Sequence, residues 1–292
     1  FFSIHDLPVF LPKPLMRALR ATGRRGAEAF MALMRWQGRR WCEPYDRLRA
    51  ELGLPPLRDL IFEGQHSPEL VLALFSECLG PAQPDWPPQT RITGFPFYDR
   101  ETAGAAMPEE LARFLGNGPA PIVFTLGTSA VAVAGDFYEQ SAEAARLLGR
   151  RAVLLTGRDP RNLPARPLPP EIIAAPYAPY SELFPRAAAV VHQGGVGTTA
   201  QAMRSGRPML VAPYAHDQPD NADRVARLGM ARTISRGRYR AQRVAEELAP
   251  LLEDPAYARA AAAIGEKVRA ENGAEAACDA MEALLERREA RA

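Results

Sequence analysis

The stretch VVHQGGVGTTAQAMRSGRPMLVAPYAHDQPDNA, residues 190–222, decides how this chain is read. An apolar run ends at His192 and Gln193 and passes into Gly194, Gly195 and Gly197, after which a helical pattern starts near Thr198 or Thr199. Glycines let a backbone take positive φ and approach a ligand with no Cβ in the way. The following helix offers unpaired N–H groups and the positive end of its dipole, both suited to phosphate oxygens. Thr198 and Thr199 can cap that helix or lend hydroxyls to the same anion. His192, at the strand end, can donate from its imidazole. The same residues also describe a tight strand-to-helix turn around a core histidine. Further along, Asp217 and Gln218 follow another apolar run, with Pro219 suited to open a helix. A carboxylate beside an amide can grip neighbouring sugar hydroxyls, the first accepting and the second both accepting and donating. Asp217 can equally serve as a helix cap.

Outward from this stretch the pattern continues. APIVFTLGTSA (120–130) reads as a buried strand ending in a Gly-Thr-Ser loop, a helical stretch follows at 136–149, and RAVLLTG (151–157) is a second strand. EIIAAPYAP, AAAVVHQGG, RPMLVAP and ARTIS complete a series of short apolar strands with helical patterns between most of them. Such alternation predicts a parallel sheet with helices on both faces. Folds of this kind bind ligands in the loops at the carboxyl ends of their strands. Four polar loops fall at that edge: Gly-Thr-Ser, the Tyr177 loop, His-Gln-Gly-Gly and His-Asp-Gln. Tyr177 and Tyr180 sit on a proline-stiffened loop where a ring can stack on a base. Their convergence favours a phosphate-bearing ligand.

Residues 1 to about 100 read differently, as helical patterns punctuated by proline, with one helix ending near Gly53. No series of alternating strands and helices is evident there, so this portion is not expected to form a complete α/β domain alone. The end of the chain is predicted as two helices divided at Asn272-Gly273.

Composition narrows the function classes. The 292 residues carry 36 Lys+Arg against 34 Asp+Glu, a net +2 that gives no general pull toward nucleic acid. Cys42, Cys78 and Cys278 are odd in number and form no CxxC, so they are expected as buried thiols rather than a disulfide set or zinc site. No apolar run reaches the length of a membrane span and no signal peptide is visible, which reads as cytoplasmic. Between Lys13 and Arg40 eight basic residues meet a single acid, Glu28, interleaved with Met34 and Trp36. That is either a solvated helix face or a peripheral contact with anionic lipid.

Read strictly, Gly195-Val196-Gly197-Thr198-Thr199-Ala200 also satisfies the G-x-G-x-x-G/A dinucleotide pattern. That fingerprint normally follows the first strand of its domain, whereas several strands precede this one, and an NAD-dependent protein is the weaker reading. No Gly-Lys-Ser/Thr follows, which excludes a P-loop.

Taken together, the aromatic-Ala-Pro loop at Tyr177, Leu-Phe-Pro, His-x-Gly-Gly-x-Gly-Thr, Gly-x-Pro and Asp-Gln-x-x-Asn-Ala resemble the donor-binding domain of the GT-B-type family 1 glycosyltransferases. FTLGTSA is similar to the first loop of that domain, and residues 84–99 and 215–229 resemble bacterial members acting in glycolipid, macrolide or sterol glycosylation. The resemblance implies an α/β, GT-B-like fold. A complete C-terminal Rossmann-like domain at 105–255 would follow a mostly helical remainder of the N-terminal domain at 1–104, with helices at 256–292 packing back on the N-terminal part. It implies an inverting transfer of a hexosyl or deoxyhexosyl group from a UDP- or TDP-sugar to a hydroxyl of a small lipophilic acceptor, with no cofactor and no essential metal. Tyr177 would stack on the base and Ala178 would present its backbone to it. His192 with Gly194, Gly195, Gly197 and Thr198 would hold the diphosphate, Gly127 and Thr128 would lie near the phosphates and the acceptor, and Asp217 and Gln218 would bind the sugar. The chain departs from plant-type relatives at Ala200, where they carry an acid for the ribose. The family's catalytic histidine and its aspartate are expected before Phe1, in an N-terminal segment of the same protein. A non-catalytic nucleotide-sugar-binding fragment is the other reading.

Overall fold

The computed structural model describes residues 2–57, 59–99 and 107–290. These divide into two compact units, Phe1–Gly94 with Asn272–Ala292, and Phe95–Glu271. The expected boundary at 104/105 lies outside the described residues.

The first unit opens with α1 (Lys13–Ala21) and α2 (Gly23–Glu51). Leu7, Met16, Ala27, Met31 and Phe62 form its core, with Phe30 and Met34 against it. The spacing of Ala27, Met31 and Met34 places one apolar stripe of α2 inward, as three- and four-residue steps require. Pro44 does not end α2, contrary to the proline punctuation expected there: the helix runs on to Glu51, losing one internal hydrogen bond at the proline. Two short strands were not foreseen, β1 (Val71–Ala73) and β2 (Thr90–Ile92), which pair in parallel. Three residues each give too little alternation to mark a strand. On α2, Trp36 and Trp41 are exposed, and the Arg40 guanidinium lies 5.0 Å over the Trp36 ring. Among the described residues no helix is long and apolar enough to cross a membrane.

The second unit runs α3 (Glu109–Gly116), β3 (Ile122–Thr125), α4 (Thr128–Val131), α5 (Phe137–Leu147), β4 (Ala152–Leu155), β5 (Ile172–Ala175) and α6 (Tyr180–Leu183). It continues through β6 (Ala189–His192), α7 (Val196–Ser205), β7 (Met209–Val211), α8 (Gln218–Arg227), β8 (Ala231–Thr233), α9 (Ala241–Glu253) and α10 (Pro255–Ala270). Its six strands lie in the order β5-β4-β3-β6-β7-β8, and every pairing is parallel. The six are the strands expected from the sequence. Ile122, Val123, Leu154, Val190, Val191 and Leu210 are fully buried, because helices cover both faces of a parallel sheet. One face packs on α5 and α9 through Phe137, Tyr138, Val244 and Leu248.

Of the two helices expected at the end of the chain, α10 clusters with the second unit, while α11 (Gly273–Glu289) clusters with the first. Cys42 and Cys78 are half-buried and Cys278 is exposed, so the expectation of three buried thiols fails for α11: that helix buries little beyond Gly273 and Ala277.

Candidate functional site

The strand order fixes where a ligand can enter. From β3 the chain builds outward through β4 to β5, then returns and builds the other way through β6, β7 and β8. The loops after β3 and β6 therefore part company, leaving a crevice at their carboxyl ends, the usual ligand position in an open α/β sheet. Gly127 and Thr128 stand on one side of it, and Gln193 to Thr198 on the other.

The glycine loop is shaped by its neighbours. Gly194 has φ +90°, and a Cβ there would stand 2.8 Å from Val211 Cγ1 and 3.1 Å from the carbonyl oxygen of Gln218. Only glycine meets both demands. Gly195, in extended conformation, is the N-cap of α7, which begins at Val196, earlier than the threonines expected to cap it. A Cβ on Gly197 would meet nothing within 4 Å, so α7 is open to space at this residue, and the opening amides of a helix have no partner within the helix itself. Thr198 and Thr199 lie inside that turn and are buried. Across the crevice Gly127 is buried and Thr128 exposed. A Cβ on Gly127 would approach Thr198 Oγ1 to 3.2 Å.

His192 departs from its expected use as an anion donor. The ring is fully buried: Nδ1 accepts the Gly194 N–H at 3.0 Å, and Nε2 faces Met209 Sδ at 3.4 Å. Burial pushes its pKa down to about 3, so the imidazole is neutral and spends itself on holding the turn.

The second loop shows a similar division. Gln218 is buried, and its Oε1 accepts from the N–H groups of Tyr214 (2.8 Å) and Ala215 (3.1 Å). Both lone pairs are thus committed to the loop, and Gln218 has only donors to offer a sugar, not the mixed role expected. Asp217 is exposed and occupies the N-cap position of α8 without capping it. Its Oδ2 accepts instead from Asn221 Nδ2 at 2.7 Å, and the same nitrogen donates to the carbonyl oxygen of Gly194 at 2.9 Å. Asn221 therefore ties the two loops together. Residue types alone did not reveal this role; the available signal was its place one helical turn beyond Asp217. His216 holds a φ of +58°, an uncommon backbone for a non-glycine residue.

Beside the crevice, at the ends of β4 and β5, a cavity of about 320 Å³ is lined by Thr156, Arg158, Asp159, Leu163, Ala175 and Pro176. Tyr177 follows Pro176 and is 52% exposed, whereas Ala178 is buried. Tyr180 turns inward: its hydroxyl pairs with Thr125 Oγ1 at 2.8 Å and its ring stacks on Phe184. Among the described residues no group of three His, Cys, Asp or Glu is placed to hold a metal ion. In the first unit His66 lines a separate cavity with Arg35, Glu63, Trp86 and Phe62, and burial lowers its pKa.

The residues carrying this site match known proteins. Residues 152–284 fall in the family described as the C-terminal domain of erythromycin biosynthesis protein CIII-like proteins. The chain is 37% identical over 246 residues to the O-mycaminosyltylonolide 6-deoxyallosyltransferase of Streptomyces fradiae, a match covering 83% of this chain and 56% of that protein. It is 32% identical over 229 residues to the vancomycin aglycone glucosyltransferase of Amycolatopsis orientalis, covering 78% and 54%. The chain thus spans about half the length of the curated relatives it matches. Among solved structures, the glycosyltransferase of kitacinnamycin superposes with a TM-score of 0.67 at 25% identity, covering 94% of this chain and 65% of that one. Switch-point crevice, glycine loop and these relatives agree, and the chain belongs to the GT-B glycosyltransferases of family 1.

Proposed function

We propose that the second unit binds the nucleotide-diphosphate sugar of a glycosyl transfer, and that the protein carrying it moves the sugar to a hydroxyl of a small lipophilic acceptor. The observation that carries this reading is the switch-point crevice between β3 and β6, where α7 begins without a side-chain cap and Thr198 lies close to Gly127. Diphosphate oxygens fit the amides that open a helix, and the donor's two ends then fall on the flanking loops. Toward β4 and β5, the nucleoside enters the 320 Å³ cavity with its base against Tyr177. Toward α8, the sugar meets the exposed Asp217 carboxylate and the amide hydrogens of Gln218. The relatives' names support a sugar donor and leave its identity open, one being a 6-deoxyallosyltransferase and another a glucosyltransferase.

In the transfer we infer, the acceptor oxygen attacks the anomeric carbon from the face opposite the diphosphate and inverts it. The bond to the phosphate oxygen breaks, and the nucleoside diphosphate leaves with the electron pair. The acceptor's proton passes to a general base. The growing charge on the leaving diphosphate is met by preorganised N–H donors, worth most in a water-poor crevice, and this chemistry asks for no metal or further cofactor. Titration calorimetry tests the donor reading. UDP or TDP should bind at micromolar to sub-millimolar concentration and NAD should not compete; failure of both diphosphates to bind the folded chain at millimolar concentration would contradict it.

A further inference from the structure

The apolar seam that seats α2 in the first unit outruns the core it packs against. Met34, Gly38, Trp41, Tyr45, Leu48 and Leu52 recur at alternating steps of four and three residues, the a and d positions of a heptad, with Leu52 at the helix C-cap. Gly38 is buried and Met34 packs on the core. Past Gly38 the seam is uncovered: Trp41 is 71%, Tyr45 38%, Leu48 50% and Leu52 64% exposed. Over residues 41–52 the large apolar side chains stand at a and d positions alone. That is the narrow seam of a coiled coil, whereas a helix lying on a membrane turns a wide apolar face to it. Charge points the same way. The basic excess ends at Arg40, and beyond it Arg47 and Arg49 are met by Glu43, Asp46 and Glu51, so this half of the helix has no net pull toward anionic lipid.

The seam complements itself. With a two-fold axis beside Asp46 and Arg47, an antiparallel pair sets Tyr45 against the partner's Leu48 and Trp41 against the partner's Leu52, a ring on a smaller side chain in every layer. Along the edges Cys42 faces the partner's Arg49 and Pro44 the partner's Glu51, so no like charges meet. Arg49 is already set beside the seam: its Nε donates to the Pro55 carbonyl oxygen at 2.7 Å, and its guanidinium lies 5.8 Å over the Tyr45 ring. A parallel pair would drive the core that fills the earlier half of the seam into its copy, whereas the antiparallel pair sets each core past the end of the partner's helix. We propose that residues 41–52 form a dimer interface, its occupant being the same seam of a second copy of this chain, packed antiparallel. Such a seam buries on the order of 400 Å² of each chain, below a standard interface, so the dimer is weak and reversible. The inference is independent of the donor reading.

Sedimentation equilibrium of the full chain tests this, from about 1 to about 200 μM, a range that brackets a weak interface. A reducing agent is kept present to exclude disulfides through the exposed Cys278. The parent should pass from monomer to dimer with a dissociation constant on the order of 10 μM. Leu48→Glu, at a half-exposed position in the middle of the seam, should weaken the dimer at least about 100-fold and leave the melting temperature of the dilute chain unchanged. Two further variants read the register. Cys42→Glu gains two contacts with Arg49 per dimer and should tighten it about 5-fold, and Cys42→Arg should loosen it about 5-fold. In a parallel pair Cys42 would face the partner's Gln37 and neither charge would matter. A parent that stays monomeric throughout, or a Leu48→Glu chain that dimerises like the parent, overturns the inference. So does a dimer indifferent to both charges at position 42. Cosedimentation of the parent with phosphatidylglycerol vesicles, lost in Leu48→Glu, would give the face to lipid and overturn it as well.

Discussion

The glycine loop after β6 and the Asp-Gln loop after β7 sit side by side and are built on opposite terms. In the first the polar side chains turn inward: His192 accepts the Gly194 amide inside the protein, and Thr198 and Thr199 are buried. What remains for a ligand is backbone. In the second, Gln218 fixes the loop through two amides while Asp217 stays in solvent, so a side chain is what remains. The difference matches two kinds of ligand group. A diphosphate is well served by rigid N–H donors, whereas sugar hydroxyls need an acceptor as well. Residues that look like ligands in the sequence divide accordingly into those that build a loop and those that face outward.

The largest break in this comparison comes from Gly194→Ala. Its positive φ and the close approach of the Gln218 carbonyl should cost about 2–4 kcal/mol, read by urea denaturation, and should abolish diphosphate binding with it. Asn221→Ala comes next, because it unties the loops and leaves the Gly194 carbonyl and the Asp217 carboxylate without their shared donor. A loss of about 1–3 kcal/mol is expected, together with weaker binding of the intact nucleotide sugar than of the nucleoside diphosphate alone.

His192 sharpens the comparison through pH. Its pKa in the fold is about 3 and its ordinary value 6.5. Between those values the unfolded chain holds more protons than the folded one, so stability rises with pH and falls as pH drops below about 6.5. The slope owed to this residue approaches about 1.4 kcal/mol per pH unit. His192→Asn should flatten it, measured as the difference in denaturant stability between pH 4.5 and 6.5 against the parent. A parent whose slope is unchanged by the substitution would show that the imidazole is not the buried neutral group described. The smallest effect on stability belongs to Tyr177→Ala, within about 0.5 kcal/mol for so exposed a ring. Its affinity for the nucleoside should nonetheless fall about 10-fold.

Much of this was legible before the structure. Six apolar runs such as PIVF and AVVH named the six strands of the second unit, because a sheet covered on both faces needs continuous apolar sequence. The four polar loops fell at its carboxyl edge for the same reason. The inward turn of His192 was not legible, since a histidine at a strand end looks alike whether it faces the core or the crevice. The approach of Gln193 Nε2 to within 2.2 Å of where a Cβ on Gly127 would stand was not legible either, since it joins two loops distant in the chain. Asn221 needed the fold to bring Gly194 within reach of α8. In the first unit, Pro44 and two three-residue strands defeated the pattern rules through local context that no periodicity records.

The most direct test of a donor crevice at the switch point is the response of backbone amide resonances, in the full deuterated chain, to added TDP and UDP. The largest shifts are expected at Gly194, Gly195, Gly197 and Thr198, with Gly127 and Thr128 following across the crevice. Shifts absent from both loops, or concentrated elsewhere while the nucleotide binds, would contradict the assignment of this crevice to the diphosphate.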